Sequence, residues 1–374
     1  MSQPPTRIQN NRLKTLFQEM VDIYSPSGKE EEIVVFLTDW LKQAGLPVTL
    51  REVTEGRHNI EVVWPDAQPD VAFFGHVDTV PAFDIERYEF DERDGLAYGL
   101  GTADMKGGCA AMIEAFLSFV ENGNTPQRAG LFLVVGEEES GDGTAALLDG
   151  WNYPWALIAE PTNLVPCLNH YSYVEMLIRA FGTRRHASMA GHDYNAIFSM
   201  LRMLLRVAEW IEQEHPEIIL NIRDLHSSES GFAVPDRCAS WLDLHIPWQT
   251  PLDQLSDGLK TLVQDSLSGS AVTHYEIGFP TLAQGYQLPQ EGLLPELLHT
   301  AYQQLNLPWE PGAFHSHSDA NLLWNANCKP VILGPGQLAK AHTRDESISL
   351  AEVERAAGIY LEILDTLHGS PCRS

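Results

Sequence analysis

The sequence predicts an α/β protein, a mostly parallel sheet flanked by helices and interrupted by a smaller α+β domain. Three observations carry this. Helix-like and strand-like patterns alternate along the first third, as expected for strands joined by crossover helices. Short apolar runs there, LFLVVG at 131–136 and ALIAE at 156–160, suit strands buried on both faces. The middle third instead reads β-α-β-β-α-β, the order of a split-βαβ (ferredoxin-like) sandwich.

The elements follow in order. Residues 8–24 and 30–44 have the spacing of amphipathic helices, the second ending near Gly45. Residues 59–64 and 70–75 read as strands, and 108–121 as a helix behind Gly107-Gly108. YVEMLIRAFG at 173–182 alternates in part, like a strand with one wet face. A long helix fits 195–214, strands fit 218–225 and 237–246, a helix fits 252–267 and a strand 271–279. Alternation resumes from about residue 286 and closes with a helix at 350–367. The 374 residues therefore divide into two domains, one split by the other: 1–170 with 285–374, and an insertion at 171–284.

Composition excludes some functions. Lys plus Arg is 24 against 51 Asp plus Glu, a net charge of −27. Phosphate neutralisation needs clustered Lys and Arg, so neither nucleic acid nor an anionic membrane is an expected partner. The acidity reads as solubility or as carboxylates that ligate cations. The N-terminal segment lacks the apolar stretch of a signal peptide, and no apolar run is long enough for a transmembrane helix. Cys109, Cys167, Cys238, Cys328 and Cys372 are odd in number and form no C-x-x-C pair. Neither a disulfide framework nor a thiolate metal site is expected, and a reducing cytoplasm is the expected setting.

Acidic or His-bearing segments fall where first-domain strands end. In FFGHVDTVPA, His76 and Asp78 are two apart in an extended segment and share a side. Asp78 could hold the second imidazole nitrogen of a metal-ligating His76; the pair reads equally as a strand-end His with a surface Asp. In GLGTADMKGG, Asp104 sits among glycines that allow a tight inward turn, although Asp is also a common helix cap. In VVGEEESGDGT, three glutamates follow an apolar strand directly. Ligands bind at the carboxyl ends of strands in open α/β sheets, so Glu137 and Glu138 could divide into proton acceptor and metal ligand. In ALIAEPT, Glu160 closes another apolar strand. GPGQLAKAHTRDE places His342 in a Gly/Pro loop. Two imidazoles with several carboxylates and no thiolate suit zinc, and a shared carboxylate would make a two-metal hydrolase.

The segments GHVDTVP, G-x-G-x-x-DMKGG, EEESG, AEPT and AHTRDE, in this order, resemble the acetylornithine deacetylase, succinyl-diaminopimelate desuccinylase and aminoacylase family of di-zinc metallohydrolases, which also includes carboxypeptidases and dipeptidases. The resemblance spans essentially the whole chain and implies a zinc-exopeptidase-like fold. It implies His76 and Glu160 as ligands of one zinc, Glu138 and His342 of the other, and Asp104 as the bridging carboxylate, with a cis peptide after it. Asp78 would orient His76 and Glu137 would be the general base. The family's inserted domain implies a homodimer, with His186, in the FGTRRHASMAGHDYNAI stretch at 181–197, reaching the partner's active site. Co²⁺ or Mn²⁺ could replace Zn²⁺.

Two positions depart from the family pattern. Phe232 precedes the A-V-P-D segment where the family commonly has Asn, and Asp243-Leu244-His245 stands where it commonly has D-x-R. Phe cannot hydrogen-bond through its side chain, and His is a weaker, pH-dependent anion partner than Arg. Arg184 and Arg185 could compensate or simply face solvent. HSHSD at 315–319 reads as a polar loop rather than a second metal cluster, with Asp319 capping the helix that follows. The expected reaction is hydrolysis of the amide of a small N-acyl amino acid or short peptide. The alternatives are a carboxypeptidase or dipeptidase, an inactive metal-binding paralogue, or a two-metal phosphoesterase.

Overall fold

The computed structural model describes residues 8–65, 67, 69–82, 88–190, 195–229, 231–268, 270 and 272–369. Residues 191–194 of the GHDYNAI stretch and Cys372 lie outside them. The chain separates into two compact units: one is Asn169–Gln287 with His315–His317, the other the remainder.

The larger unit is built on a sheet whose order in chain ranges is Val48–Thr54, Arg57–Val62, Ala129–Val134, Val71–His76, Trp155–Ile158, Lys329–Ile332 and Cys167–His170. The four strands from Ala129–Val134 to Lys329–Ile332 run parallel, and the flanking pairings are antiparallel. Val71–His76, Ala129–Val134 and Trp155–Ile158 are buried along their whole length, which explains their unbroken apolar sequence. Helix Asn10–Asp22 buries Leu13, Leu16, Phe17, Met20 and Val21, the i, i+3, i+4 stripe read from sequence. Helix Gly107–Glu121 is buried on nearly every side from Gly107 to Phe119 and packs against Leu350–Gly369. Gly108 permits a close approach: a Cβ there would run into the carbonyl oxygen of Ala159.

The smaller unit has a four-stranded antiparallel sheet in the order Ile219–Ser227, Arg237–Ile246, Ser172–Phe181, His274–Ala283. Helices Ala196–Glu214 and Leu252–Leu267 cover one face. Their Met200, Met203, Val207, Leu259 and Val263 form a core with Val174, Met176 and Ile178. Asn195 caps the first helix, its side chain accepting the Ile197 amide at 2.9 Å. On the other sheet face, Tyr173 contacts the rings of His245 and His317. His315 packs on Tyr171, and burial lowers His317 to about 4, so His317 serves as a neutral packing ring against Tyr173.

Asp319 departs from expectation. The helix Asp319–Asn325 is capped by Ser318, whose hydroxyl accepts the Ala320 amide at 3.2 Å while the Asn321 side chain accepts the Ser318 amide at 3.3 Å. The helix thus starts one residue earlier than read, and Asp319 becomes a buried first-turn residue. All four described cysteines are free and buried. Among the described residues no helix is long and apolar enough to cross a membrane.

Candidate active site

The larger unit presents its candidate residues at the carboxyl ends of adjacent parallel strands, where the alternation of crossovers leaves loops free to converge. His76 ends one strand, Glu137 and Glu138 follow its neighbour Ala129–Val134, and Glu160 follows Trp155–Ile158 on the other side. Asp104 lies in the short turn Thr102–Lys106, in extended backbone (φ −122, ψ 95) before a cis peptide to Met105. His342 comes from the loop after Lys329–Ile332 and is held at φ +58, a left-handed conformation a non-glycine residue keeps only when its surroundings impose it.

Asp104 organises the cluster. Its Oδ1 lies 3.2 Å from Nε2 of His76 and its Oδ2 lies 3.4 Å from Nε2 of His342. Glu160 Oε1 is 3.7 Å from His76 Nε2, and Glu138 Oε2 is 3.0 Å from His342 Nε2. The donor atoms of His76, Asp104 and Glu160 lie within 4.8 Å of one another, as do those of Asp104, Glu138 and His342. These are two three-residue donor sets that share one carboxylate. Glu137 Oε2 stands 3.9 Å from His76 Nε2, beside the first set.

Asp78 does more than the sequence suggested. His76 Nδ1 meets the Asp78 backbone carbonyl at 3.0 Å and its carboxylate at 3.5 Å, which leaves Nε2 facing Asp104. The same carboxylate accepts the amides of Glu137 at 3.2 Å and Glu138 at 3.1 Å and the Ser27 hydroxyl at 2.7 Å. The Cys109 thiol donates to the His76 carbonyl at 3.1 Å. Ring and backbone of His76 are thereby both fixed.

The electrostatics call for positive charge. Burial pushes Glu137, Glu138 and Glu160 above the usual carboxylate range, and neighbouring acids add to it. Asp104 behaves oppositely: burial opposes its charge, but the hydrogen bonds to His342 and His76 hold it below that range. Burial also opposes both imidazolium forms. Even so, Asp104 and Asp78 hold His76 above its ordinary value, and Asp104 and Glu138 push His342 up to about 11. Imidazole and carboxylate donors without thiolate are the chemistry of a zinc site, and a divalent ion would neutralise what the imidazoles alone must otherwise balance.

A profile described as peptidase family M20/M25/M40 matches residues 72–366. The chain belongs to this family. The M20 match encloses every ligand candidate from His76 to His342, and the chain is a metallohydrolase that uses divalent metal. It is 29% identical over 346 residues to an acetylornithine deacetylase of Vibrio parahaemolyticus, covering 85% of this chain and 86% of that one. In fold it is similar to a tripeptidase of Staphylococcus aureus, with a TM-score of 0.82 at 21% identity over 97% of this chain and 100% of that one. Human carnosine dipeptidase 1 superposes with a TM-score of 0.74 at 12% identity over 95% and 96% of the two chains.

His186, expected from the sequence to reach a partner's site, lies in the smaller unit. It is exposed in the short strand Arg185–His186, paired with Ala233-Val234, and its Nδ1 accepts the Ser188 amide at 3.2 Å. Phe232, 91% exposed, joins the same pairing through its carbonyl, which accepts the Ala187 amide at 2.9 Å. His245 is lowered by burial, and its Nδ1 has no partner among the described residues. Sequence reasoning missed two buried acids. Asp319, raised by burial to about 7, also helps to raise Glu137. Glu346, two residues past the TR pair of AHTRDE, accepts three backbone amides of the Asp104 turn. The turn that presents those amides has Gly101 in the left-handed conformation, which shows only in the fold.

Proposed function

We propose that this enzyme hydrolyses the amide bond of a small N-acyl amino acid or short peptide, with two Zn²⁺ per subunit (Co²⁺ or Mn²⁺ serving the same donors). His76 and Glu160 would hold one ion, Glu138 and His342 the other, and Asp104 both. The observation that carries the reading is the Asp104 carboxylate, one oxygen toward each imidazole. The bound ions would polarise the amide carbonyl and lower the pKa of water. Glu137, whose Oε2 stands 3.9 Å from His76 Nε2 beside the first donor set, would accept the proton of the attacking water and return it to the leaving amine. Asp78 fixes the His76 ring and the Glu137–Glu138 backbone together. His186 would stabilise the oxyanion from the partner subunit.

The chain acts as a homodimer through the inserted unit, at residues about 171–284, in this reading. Phe198, Leu201 and Leu205 form an exposed apolar stripe on helix Ala196–Glu214, and Ile219, Ile222 and Leu225 are exposed on the edge strand. Edge strands and exposed apolar stripes of this kind favour pairing. Four free buried cysteines support a reducing, cytoplasmic setting.

The deciding experiment is a substrate panel on the zinc-loaded protein, covering N-acetyl and N-succinyl amino acids, dipeptides and phosphate esters. Turnover of an amide is expected, and which amide separates deacylase from peptidase. Failure on every amide with zinc bound would leave a metal-binding protein of another role.

A further inference from the structure

Glu346 is 3% exposed and stands outside both donor sets. Its Oε2 accepts the Gly101 amide at 3.1 Å, and its Oε1 accepts those of Ala103 at 2.9 Å and Asp104 at 3.1 Å. The Gly101, Ala103 and Asp104 amides converge on one concavity because Gly101 sits at φ +79, while the intervening Thr102 amide turns back to the Gly99 carbonyl at 3.2 Å. No side chain fits at that position: a Cβ on Gly101 would meet Thr79 Cγ2 at 2.7 Å. Both oxygens accept, so the concavity is filled by a carboxylate.

The backbone of Glu346 belongs to the other arm of the cluster. It follows His342 by four residues, its amide donates to the Thr343 carbonyl at 3.2 Å, and its carbonyl accepts the Gly99 amide at 3.3 Å. The next residues, Ser347–Ser349, pair with Leu96–Tyr98. One side chain therefore ties the turn bearing Asp104 to the loop bearing His342.

We infer that Glu346 is a positioning residue that sets the spacing of the two metal sites by closing the Gly101–Asp104 turn against the His342 loop. The inference rests on the metal reading of Asp104 and His342 proposed above. Glutamine keeps the size of Glu346 but turns an NH₂ toward one of the amides, so one bond is replaced by a donor–donor contact. Alanine leaves three buried amides without acceptors.

The test uses the full chain, stripped of metal and titrated with Co²⁺, for the wild type, Glu346→Gln and Glu346→Ala. Stoichiometry and the d–d absorption spectrum are read beside far-UV circular dichroism, then kcat and KM on the best amide of the panel. The wild type is expected to take up two Co²⁺. Folded Glu346→Gln is expected to bind one or both ions about 10–100-fold more weakly with an altered spectrum, and to lose kcat about 10–100-fold with KM within about twofold. Where Glu346→Ala fails to fold, Glu346→Gln decides. A Glu346→Gln protein with wild-type Co²⁺ affinity and spectrum overturns the inference, as does one that cannot fold, which would make Glu346 a determinant of the fold instead. Wild-type protein that binds no Co²⁺ overturns the metal reading itself, a result distinct from equal binding by both.

Discussion

The Asp78 carboxylate accepts the backbone amide of Glu138 at 3.1 Å. A residue of one strand end thus sets the position of a metal-ligand candidate on the next. The same carboxylate holds the Glu137 amide at 3.2 Å. Asp78→Asn presents one acceptor where two are used and leaves a buried amide facing an NH₂ group. The expected loss is about 1–3 kcal/mol of stability, with activity down about 10–100-fold. Denaturant unfolding and steady-state kinetics check it, and unchanged values in both would remove Asp78 from the positioning network.

Gly108 lies against Ala159, the residue before Glu160, with no room for a side chain. Gly108→Ala should overpack this approach at a cost of about 1–3 kcal/mol. Because the displaced segment carries Glu160, metal content measured on the folded fraction should fall as well. A stable, fully metal-loaded variant would show that the helix can shift without moving the ligand.

The smaller unit buries histidines in the neutral form. Burial lowers His170 to about 3 and His317 to about 4. Their folded pKa values lie below the unfolded value of about 6.5, so the unfolded chain binds more protons between these limits. Stability should be full above pH about 6.5 and fall as pH drops toward 3–4, by up to about 1.4 kcal/mol per pH unit for each histidine. Urea unfolding of His170→Gln across this range should show a shallower slope than wild type. Identical slopes would contradict the assignment.

Phe198, Leu201 and Leu205 recur at i, i+3 and i+7 on helix Ala196–Glu214 and are 44%, 40% and 64% exposed. If this stripe is the subunit interface, Leu205→Glu should convert a dimer to a monomer by light scattering. Burial of a charge at such an interface is strongly unfavourable. A Leu205→Glu dimer as tight as wild type would place the interface elsewhere.

Much of the fold and most of the candidate site are legible in the amino-acid sequence. The apolar runs at 131–136 and 156–160 are buried parallel strands because such strands have no polar face to display. His76, Asp104, Glu137, Glu138, Glu160 and His342 are legible because each interrupts an apolar or glycine-rich pattern with a donor at a strand end or in a loop. Asp319 and Glu346 are not, and the reason is physical. Their neighbours supply ordinary local roles, a helix start and a polar loop, while their burial depends on contacts distant in sequence. The bond from Glu346 to Ala103 spans 243 positions, which no local pattern encodes. Ser318 displaces Asp319 as a cap through a reciprocal bond with Asn321, which needs the turn geometry itself.

The most direct measurement is metal content against turnover in Glu137→Gln. This change keeps the shape of the side chain and removes the proton acceptor beside His76. About two metal ions per subunit are expected, with turnover reduced by about 10²–10⁴-fold. Turnover near wild type with metal bound, or loss of a metal ion with the substitution, would contradict Glu137 as the base of a two-metal hydrolase.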